Sequence, residues 1–250
     1  AQNPADLKAR MDLGWCYLQD EEPEKAMELM EHITPDDASE KDYANLMGKV
    51  FYYGKRYDRA VPLIGRWISL LTEQMPTEGQ EREDDHERLA TGHSMLAQIH
   101  QEEAKEKEGT ERDEAFLLVM RELDAAKEAH YNPGQDYARA LAYLEWEKYE
   151  ECRTICEELK EKYPDFAAAF MLHQKASAKL FDAGSVIGDY FALRQLQPDY
   201  AGSWELAAEV YYQVKRTEEL DRLLADAEEN NIRTACLKKY RFFRMADQAQ

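Results

Sequence analysis

Three histidines at seven-residue spacing are the first residues in this chain whose types could do chemistry. His86, His93 and His100 would form one stripe on a continuous helix, and Glu83 precedes His86 by three residues, as in carboxylate-bridged metal sites. Neighbouring histidines would lie ~10.5 Å apart along the helix axis, too far to share one metal ion. Because only one Glu-x-x-His pair occurs, we expect solvated or hydrogen-bonded histidines rather than a metal centre.

The four cysteines, which are Cys16, Cys152, Cys156 and Cys236, lack the paired spacing of a zinc ribbon. Cys152 and Cys156 would share one face of a helix, but both fall at apolar positions, where a free cysteine packs as a small hydrophobe. Four unpaired cysteines favour a reducing compartment and hence a cytoplasmic location. The alternative is an exported protein whose signal has been removed, since the chain begins at Ala1 rather than Met.

Catalytic sequence patterns are missing from the chain. It contains no Walker-type loop, no Gly-rich dinucleotide fingerprint and no His-Glu-x-x-His sequence. The 51 acidic residues make carboxylate pairs inevitable, and such pairs more often belong to solvated helix faces than to catalytic sites. We therefore predict a protein that is not an enzyme and that needs no cofactor or metal.

The charge balance bears on the class of partner. With 32 basic residues against 51 acidic ones, the net charge is −19, which disfavours nucleic acid and anionic membranes as partners. A local exception is the C-terminal segment, whose basic and aromatic residues are Arg233, Lys238, Lys239, Tyr240, Arg241, Phe242, Phe243 and Arg244. RNA binding is the alternative interpretation of this segment. We predict instead a capping helix whose cations offset the helix dipole and pair with the acidic body.

A repeated spacing of 34 residues indicates which elements must position these side chains. Ala26 and Ala60 lie 34 residues apart, and Pro164-Asp165-Phe166 recurs as Pro198-Asp199-Tyr200 at the same interval. A fixed period of 20 to 50 residues is typical of a solenoid, in which each unit buries its apolar face against its neighbours.

Several residues repeat in a pattern that resembles the tetratricopeptide repeat family. The matching positions are Leu13-Gly14, Tyr17 and Ala26, then Met47-Gly48, Phe51 and Ala60, and later Trp204, Ala207-Ala208 and Tyr211. The small residues have a physical reason, since the two antiparallel helices of a unit approach closely. Cys152, Val186 and Leu220 replace the usual second-helix alanine.

The resemblance implies an all-α fold, a right-handed α-α superhelix of about six helix pairs in a single domain spanning 1–250. The expected repeats are 6–39, 40–80, 85–131, 132–165, 166–199 and 200–231, followed by a capping helix at 231–246. Between Ala60 and Cys152 the spacing exceeds two periods, and we place the extra length in insertions at 72–85 and 104–112. The acidic run Glu78 to Glu87 is expected to be a loop or a second contact for a basic partner.

The resemblance also implies a concave groove, lined by the first helix of each unit, that binds an extended peptide or a helix. The groove positions in this sequence are Met11, Trp15, Leu18, Lys49, Tyr52, Tyr53, Tyr137, Leu141, Met171 and Lys175. Aromatic side chains anchor interfaces at low entropy cost, and the lysines would attract acidic groups. The two-carboxylate clamp that some members use on chaperone tails is missing, because Met11, Trp15 and Leu46 occupy its positions.

The predicted function is therefore a non-enzymatic scaffold that binds a protein or peptide partner of unknown identity. One alternative is a structural segment of a larger solenoid that associates with itself through its end faces, giving a homo-oligomer. A further alternative is a metal- or RNA-dependent module that uses the histidine stripe or the basic C-terminal segment.

Overall fold

The computed structural model describes residues 4–31, 33, 36 and 39–248, and along these residues the chain forms helices and no strands. The helices are α1 (Pro4–Gln19), α2 (Pro23–Met30), α3 (Glu40–Tyr53), α4 (Tyr57–Glu73), α5 (Gln80–Lys105), α6 (Gly109–Ala129), α7 (Pro133–Glu145), α8 (Tyr149–Lys162), α9 (Ala167–Lys179), α10 (Ala183–Leu196), α11 (Ala201–Gln213), α12 (Thr217–Glu229) and α13 (Ala235–Gln248). The prediction of an all-α helical repeat fold is confirmed. None of these helices combines the length and the apolar character needed to cross a membrane.

Contacts divide the chain into two compact units, Ala1–Gln135 and Asp136–Gln250, which we call unit 1 and unit 2. Unit 1 contains α1 to α6, with each helix packed against the next in sequence. In unit 2 the helices from α8 onwards pack in the same way, and α11 contacts α9 as well as its sequence neighbours. The exact repeat bounds and the handedness of a superhelix stay predictions, and part of the first expected repeat, within 32–38, lies outside the described residues.

The core of unit 1 forms where small residues let helices approach. A β-carbon on Gly14 would meet Leu46 Cδ2 at 3.0 Å, and one on Gly48 would meet Ile64 Cγ1 at the same distance. Gly14 and Gly48 therefore sit at helix crossings, as the repeat pattern predicts. Leu13 differs from expectation: it is 42% exposed, so that Gly14 alone of this pair packs inward.

The prediction that the extra residues form inserted loops is wrong. Most of these residues lengthen helices instead. α4 extends to Glu73 and α5 already begins at Gln80, so the acidic run from Glu78 to Glu87 is mostly the first two turns of a helix. Acidic side chains are favoured there by the helix dipole. The second expected insertion shrinks to the three residues 106–108 between α5 and α6.

Unit 2 combines an apolar core with ion pairs that join alternate helices. Cys152 and Cys156 are buried and unpaired among Ala140, Leu172 and Ala176, as predicted. Burial and the neighbouring Cys152 thiol raise the pKa of the Cys156 thiol far above its usual range, the hydrogen bond to Cys152 being the larger cause. The Cys156 thiol is therefore an inert packing residue, and Cys152 is buried beside it.

Left-handed backbone recurs at one position of the turn inside the helix pairs, except in the pair formed by α5 and α6. The φ angles are +59° at Glu21 and +55° at Lys55 in unit 1, then +63° at Glu147, +60° at Phe181 and +59° at Lys215 in unit 2. Successive members within each unit are 34 residues apart, so the sequence period is also a backbone period.

The C-terminal helix α13 packs on α11 and α12, as expected of a cap. Arg244 forms two hydrogen bonds of 2.8 Å to the Asp221 carboxylate, and Arg241 donates to the Leu224 carbonyl at 2.7 Å. Leu237, Tyr240 and the half-buried Phe243 join the core of unit 2. Basic residues of this helix thus pair with α12, which agrees with the capping prediction.

Candidate functional site

The candidate site is a cleft of about 570 Å³ in unit 1, between α3, α5 and the connection from α6 to α7. We call it the inner cleft. Its lining residues are Lys49, Tyr52, Tyr53, Glu87, Ala90, Thr91, Ser94, Met95, Gln98, His130 and Asn132. α5 presents Thr91, Ser94 and Gln98 at intervals of three and four residues, so these side chains share one face of the helix.

Lys49 is the charged residue among the predicted groove positions of unit 1. Its ammonium lies 5.3 Å from the Trp15 ring centroid and 5.1 Å from that of Trp67, so two indole faces flank the cation. Burial lowers the pKa of Lys49, and the nearby positive charge of Arg88 lowers it further. Within the described part of the chain, no carboxylate lies at ion-pair distance from Lys49, whereas Arg88 pairs with Asp85 at 2.7 Å.

Tyr52 and Tyr53 form the aromatic edge of the inner cleft. Their ring centroids are 5.1 Å apart in an edge-to-face arrangement. Burial raises the pKa of Tyr52, so its hydroxyl stays protonated and donates to Gln98 Oε1 across the cleft. Tyr53 is 61% exposed, so its ring is available to a ligand.

A buried glutamine shapes the far wall of the inner cleft. The Gln135 amide donates to the Ala126 and His130 carbonyls at 3.2 and 2.9 Å, and its oxygen accepts from the Asn132 N–H at 3.1 Å. These three bonds satisfy backbone groups of the connection between α6 and α7. They hold in place the connection whose His130 and Asn132 line the inner cleft together with Lys49.

The predicted groove residues of α1 have different environments. Met11 is buried in the core of unit 1 and contributes little surface, whereas Trp15 and Leu18 are half-buried beside that core. Met11 and Trp15 also line a second cleft of about 370 Å³. Three aspartates and one lysine line this second cleft, so its net charge is negative; they are Asp12, Asp36, Asp42 and Lys8.

The remaining predicted groove residues lie in unit 2, on α7 and α9. Tyr137 and Leu141 are half-buried against the cluster of Cys152 and Cys156. The centroids of the Tyr137 and Phe166 rings are 5.6 Å apart. Met171 is half-buried and Lys175 is exposed. Whether any of these side chains contacts a ligand stays a prediction.

The histidine stripe lies on one helix, α5, as expected. His93 Nδ1 is 2.7 Å from Glu122 Oε2, and His100 Nδ1 is 3.2 Å from Glu103 Oε2, so both rings have carboxylate partners. Over the residues that the structure describes, no group of three or more His, Cys, Asp or Glu side chains is placed to hold a metal ion.

A buried charged cluster in unit 2 has no recognisable pattern in the sequence. Lys160 of α8 lies 2.5 Å from Asp189 of α10, and His173 of α9 is hydrogen-bonded to the same carboxylate. The Lys160 ammonium also lies 4.9 Å from the Phe170 ring centroid. His173 and Asp189 are 3% and 2% exposed, so the cluster is closed to a substrate and joins three helices.

Trp67 is the other residue that the sequence reasoning missed. The resemblance places groove positions on the first helix of each pair, whereas Trp67 belongs to a second helix. The only available signal was its size, since a buried tryptophan often reaches across a helix pair to a neighbouring element.

Comparison with known proteins gives a consistent result. Two family models described as tetratricopeptide repeat match residues 1–50 and 128–165. No curated protein matches the chain. Among solved structures, PilW, described as a widely conserved type IV pilus biogenesis factor, is 12% identical, with a TM-score of 0.60 over 95% of this chain and 99% of that one.

Two other similar structures reach a TM-score of 0.50. PilF of Pseudomonas aeruginosa is 12% identical and covers 95% of this chain and 97% of its own. MamA of AMB-1 is 17% identical over 80% of this chain and 96% of its own. At these identities the likeness concerns the fold. Together with the family models, it shows that the chain has the helical repeat fold and that residues 1–50 and 128–165 match the tetratricopeptide repeat family.

Proposed function

We propose that this chain is a non-enzymatic scaffold whose inner cleft binds an extended peptide segment carrying a carboxylate. Tetratricopeptide repeats are a protein-interaction fold, which supports the general class. The observation that carries the specific proposal is Lys49, a half-buried cation on the cleft wall that is flanked by two tryptophans and lacks an acidic partner among the described residues.

The electrostatics of Lys49 favour an anionic ligand. Removing an ammonium from water is costly, and ring faces return only part of that energy, about 0.5–2 kcal/mol for each cation–π contact. The lowered pKa of Lys49 reflects this deficit. A ligand carboxylate would supply the missing charge inside the cleft and would raise the pKa of Lys49 again, so binding is expected to stabilise its protonated form.

The neighbouring aromatic residues suit the apolar part of such a ligand. Tyr53 is exposed, Tyr52 is fixed by its bond to Gln98, and the Trp15 ring of α1 lies against the Lys49 ammonium. Rigid rings lose little entropy on binding and commonly act as anchors. We propose that Tyr137, Leu141, Met171 and Lys175 offer a corresponding surface on unit 2, with Lys175 again favouring acidic groups.

The first test is selection of peptides from a random displayed library on the immobilised full chain. We expect enrichment of peptides that carry an acidic residue near an aromatic or aliphatic one. For a selected peptide, Lys49→Met is expected to weaken binding about tenfold, or ~1.4 kcal/mol. Replacing the acidic residue of the peptide by its amide should cause a similar loss, and that loss should disappear in the Lys49→Met background.

Two control variants distinguish an effect at the inner cleft from a general effect of the net charge of the chain. Lys55→Met makes the same change at an exposed lysine outside the cleft and should leave affinity unchanged. The double variant Trp15→Ala with Tyr53→Ala should keep its helical circular dichroism while losing affinity. Equal affinity of the wild type and both cleft variants for the selected peptides would show that the inner cleft is not the binding site.

A further inference from the structure

One histidine lines the inner cleft, and its backbone is held on both sides. His130 follows the last residue of α6: its N–H donates to the Ala126 carbonyl at 3.0 Å, and its own carbonyl accepts from the Gln135 amide at 2.9 Å. Gln135 is 4% exposed, so this second bond is anchored inside the fold. The imidazole of His130 therefore projects from a fixed point of the connection between α6 and α7, where it is exposed to the cleft.

The environment of His130 differs from that of the histidines on α5. His93 lies 2.7 Å from the Glu122 carboxylate, and His100 lies 3.2 Å from that of Glu103. In the part of the chain that the structure describes, no carboxylate lies at ion-pair distance from the His130 ring. A proton on His130 is therefore not already matched by an internal negative charge, and an anionic group of a ligand can take that place.

The charge balance of the inner cleft depends on His130. Besides two tyrosines, the ionisable lining residues are Lys49 of α3, Glu87 of α5 and His130. The formal charges of Lys49 and Glu87 cancel while His130 is neutral. Protonation of His130 leaves the lining with a net positive charge, which favours an anionic ligand in a chain that is acidic elsewhere.

Charged residues next to the lining leave this balance unchanged. Lys127 and Glu128 precede His130 on α6, are both exposed and have opposite charges. On α5, Arg88 and Asp85 form an ion pair of 2.7 Å. The charge that changes between neutral and mildly acidic pH is therefore that of His130, because histidine is the side chain whose ordinary pKa lies in this range.

We propose that His130 is a second binding residue of the inner cleft, that its protonated ring contacts a second acidic group of the bound peptide, and that binding therefore tightens at mildly acidic pH. This inference rests on the proposed function, in which a first carboxylate of the same peptide pairs with Lys49. Lys49 and His130 belong to different elements of the cleft, so a peptide that fills the cleft meets both. The ligand class is thus a peptide with two acidic groups.

The direction of the pH dependence follows from the ordinary pKa values of the groups involved. Histidine has a pKa of about 6.5, whereas aspartate and glutamate have pKa values of about 4. Between pH 8.0 and 5.8 the acidic groups of the peptide therefore stay ionised while histidine gains its proton. Since the bound peptide favours the protonated ring, affinity rises as the pH falls through this interval.

Titration calorimetry with the full chain tests the proposal. The probe is a synthetic peptide that carries two acidic residues and that was selected from the displayed library for binding that depends on Lys49. We expect its Kd to be about fivefold lower at pH 5.8 than at pH 8.0, the contribution of one exposed ion pair. His130→Gln should remove this difference. The matched control is His100→Gln, whose ring is not part of the lining and which should leave the difference intact.

Proton uptake separates a binding role of His130 from a merely structural one. The binding enthalpy at pH 6.5, measured in buffers of different ionisation enthalpy, reports the protons taken up with the peptide. We expect uptake of a fraction of a proton by the wild type and the loss of most of it in His130→Gln. A residue that only shaped the connection between α6 and α7 would change affinity without changing proton uptake.

Glu87→Gln tests the charge balance independently of His130. This variant removes the negative charge of the lining, so it should bind the same peptide a few-fold more tightly than the wild type at pH 8.0. Its affinity should still rise at pH 5.8, because His130 is intact. An unchanged affinity of Glu87→Gln at pH 8.0 would contradict the charge argument.

Two further outcomes distinguish failure of this inference from failure of the proposed function. Binding that depends on Lys49 but not on pH, or a pH dependence that persists in His130→Gln, would overturn the role of His130 and leave the proposed function standing. If no selected peptide binds in a manner that depends on Lys49, the proposed function is wrong and the role of His130 is rejected with it.

Discussion

Buried and half-buried cations in this protein are stabilised in two different ways. Lys160 has the carboxylate of Asp189 within 2.5 Å, and both side chains belong to a closed cluster with His173. Lys49 has ring faces on two sides and an open cleft in front. In the first arrangement a carboxylate neutralises the lysine inside the fold. In the second arrangement the lysine lacks a counter-charge, which a ligand can supply. The difference in local partners, rather than residue type, is what distinguishes a structural lysine from a candidate binding lysine.

Glu122 gives a test of electrostatics at the residue scale. The hydrogen bond with His93 lowers the pKa of this buried carboxyl group, although burial acts in the opposite direction. A depressed pKa in the folded state means that the interaction stabilises the protein above the ordinary glutamate pKa of about 4.3 and is lost as pH falls through the lower folded value. We expect Glu122→Gln to reduce the free energy of unfolding by about 1–3 kcal/mol at pH 7.

Urea unfolding at pH 7 and at pH 3.5 checks this prediction, and the difference between variant and wild type should shrink at the lower pH. Glu102→Gln on α5 is the control, because Glu102 forms an exposed pair with Lys105 that is worth well under about 1 kcal/mol. A constant difference between Glu122→Gln and wild type across this pH range would mean that packing, not charge, explains the effect.

Glycine has two roles at the scale of helix elements, and neighbouring helices show both. A β-carbon on Gly48 of α3 would lie 3.0 Å from Ile64 Cγ1 and 3.4 Å from the Ile64 backbone nitrogen, so this glycine sets the distance between α3 and α4. Gly65 of α4 has nothing within 4 Å of the same position. At Gly65 the absence of a side chain therefore only lowers the intrinsic stability of the helix.

Opposite effects are therefore expected from adding side chains at these two glycines. Gly65→Ala should raise the free energy of unfolding by about 1 kcal/mol, the difference in helix propensity. Gly48→Leu should lower it by about 1–3 kcal/mol, since the backbone of α4 leaves no room for a larger residue. Chemical denaturation measures both. Destabilisation by Gly65→Ala, or tolerance of Gly48→Leu, would contradict the crossing geometry.

The helix elements were more predictable than the site they form. The 34-residue period and the small residues at Gly14 and Gly48 predicted the helical repeat fold, because close helix crossings impose residue types that are visible in a sequence. Helix ends were less predictable, as the acidic start of α5 shows: a charged run suits a loop and a helix N-terminus equally well. Of the two tryptophans beside Lys49, the sequence predicted Trp15 only, because Trp67 belongs to a second helix and is buried in the core.

At the scale of the whole molecule, the net charge affects stability more than any single ion pair does. The chain carries −19 at pH 7, and such a charge destabilises the compact state through self-repulsion. Many of its ion pairs are exposed pairs within one helix, such as Lys105 with Glu102 and Arg222 with Glu218, which are worth about 0–1 kcal/mol each. Salt screens both effects over a Debye length of about 10 Å at 0.1 M. Because repulsion sums over the whole surface, it should outweigh the pairs.

The thermal midpoint at pH 7.5 is therefore expected to rise by a few degrees between 10 and 200 mM NaCl, which for a chain of this size corresponds to about 1 kcal/mol. Scanning calorimetry provides the measurement, and the control is the same salt series near the isoelectric point of about 4.8. There the net charge is small, so the rise should vanish while any nonspecific effect of the salt persists. A midpoint that falls with salt at pH 7.5 would show instead that ion pairs such as Arg244 with Asp221 and Lys160 with Asp189 dominate the electrostatics of the fold.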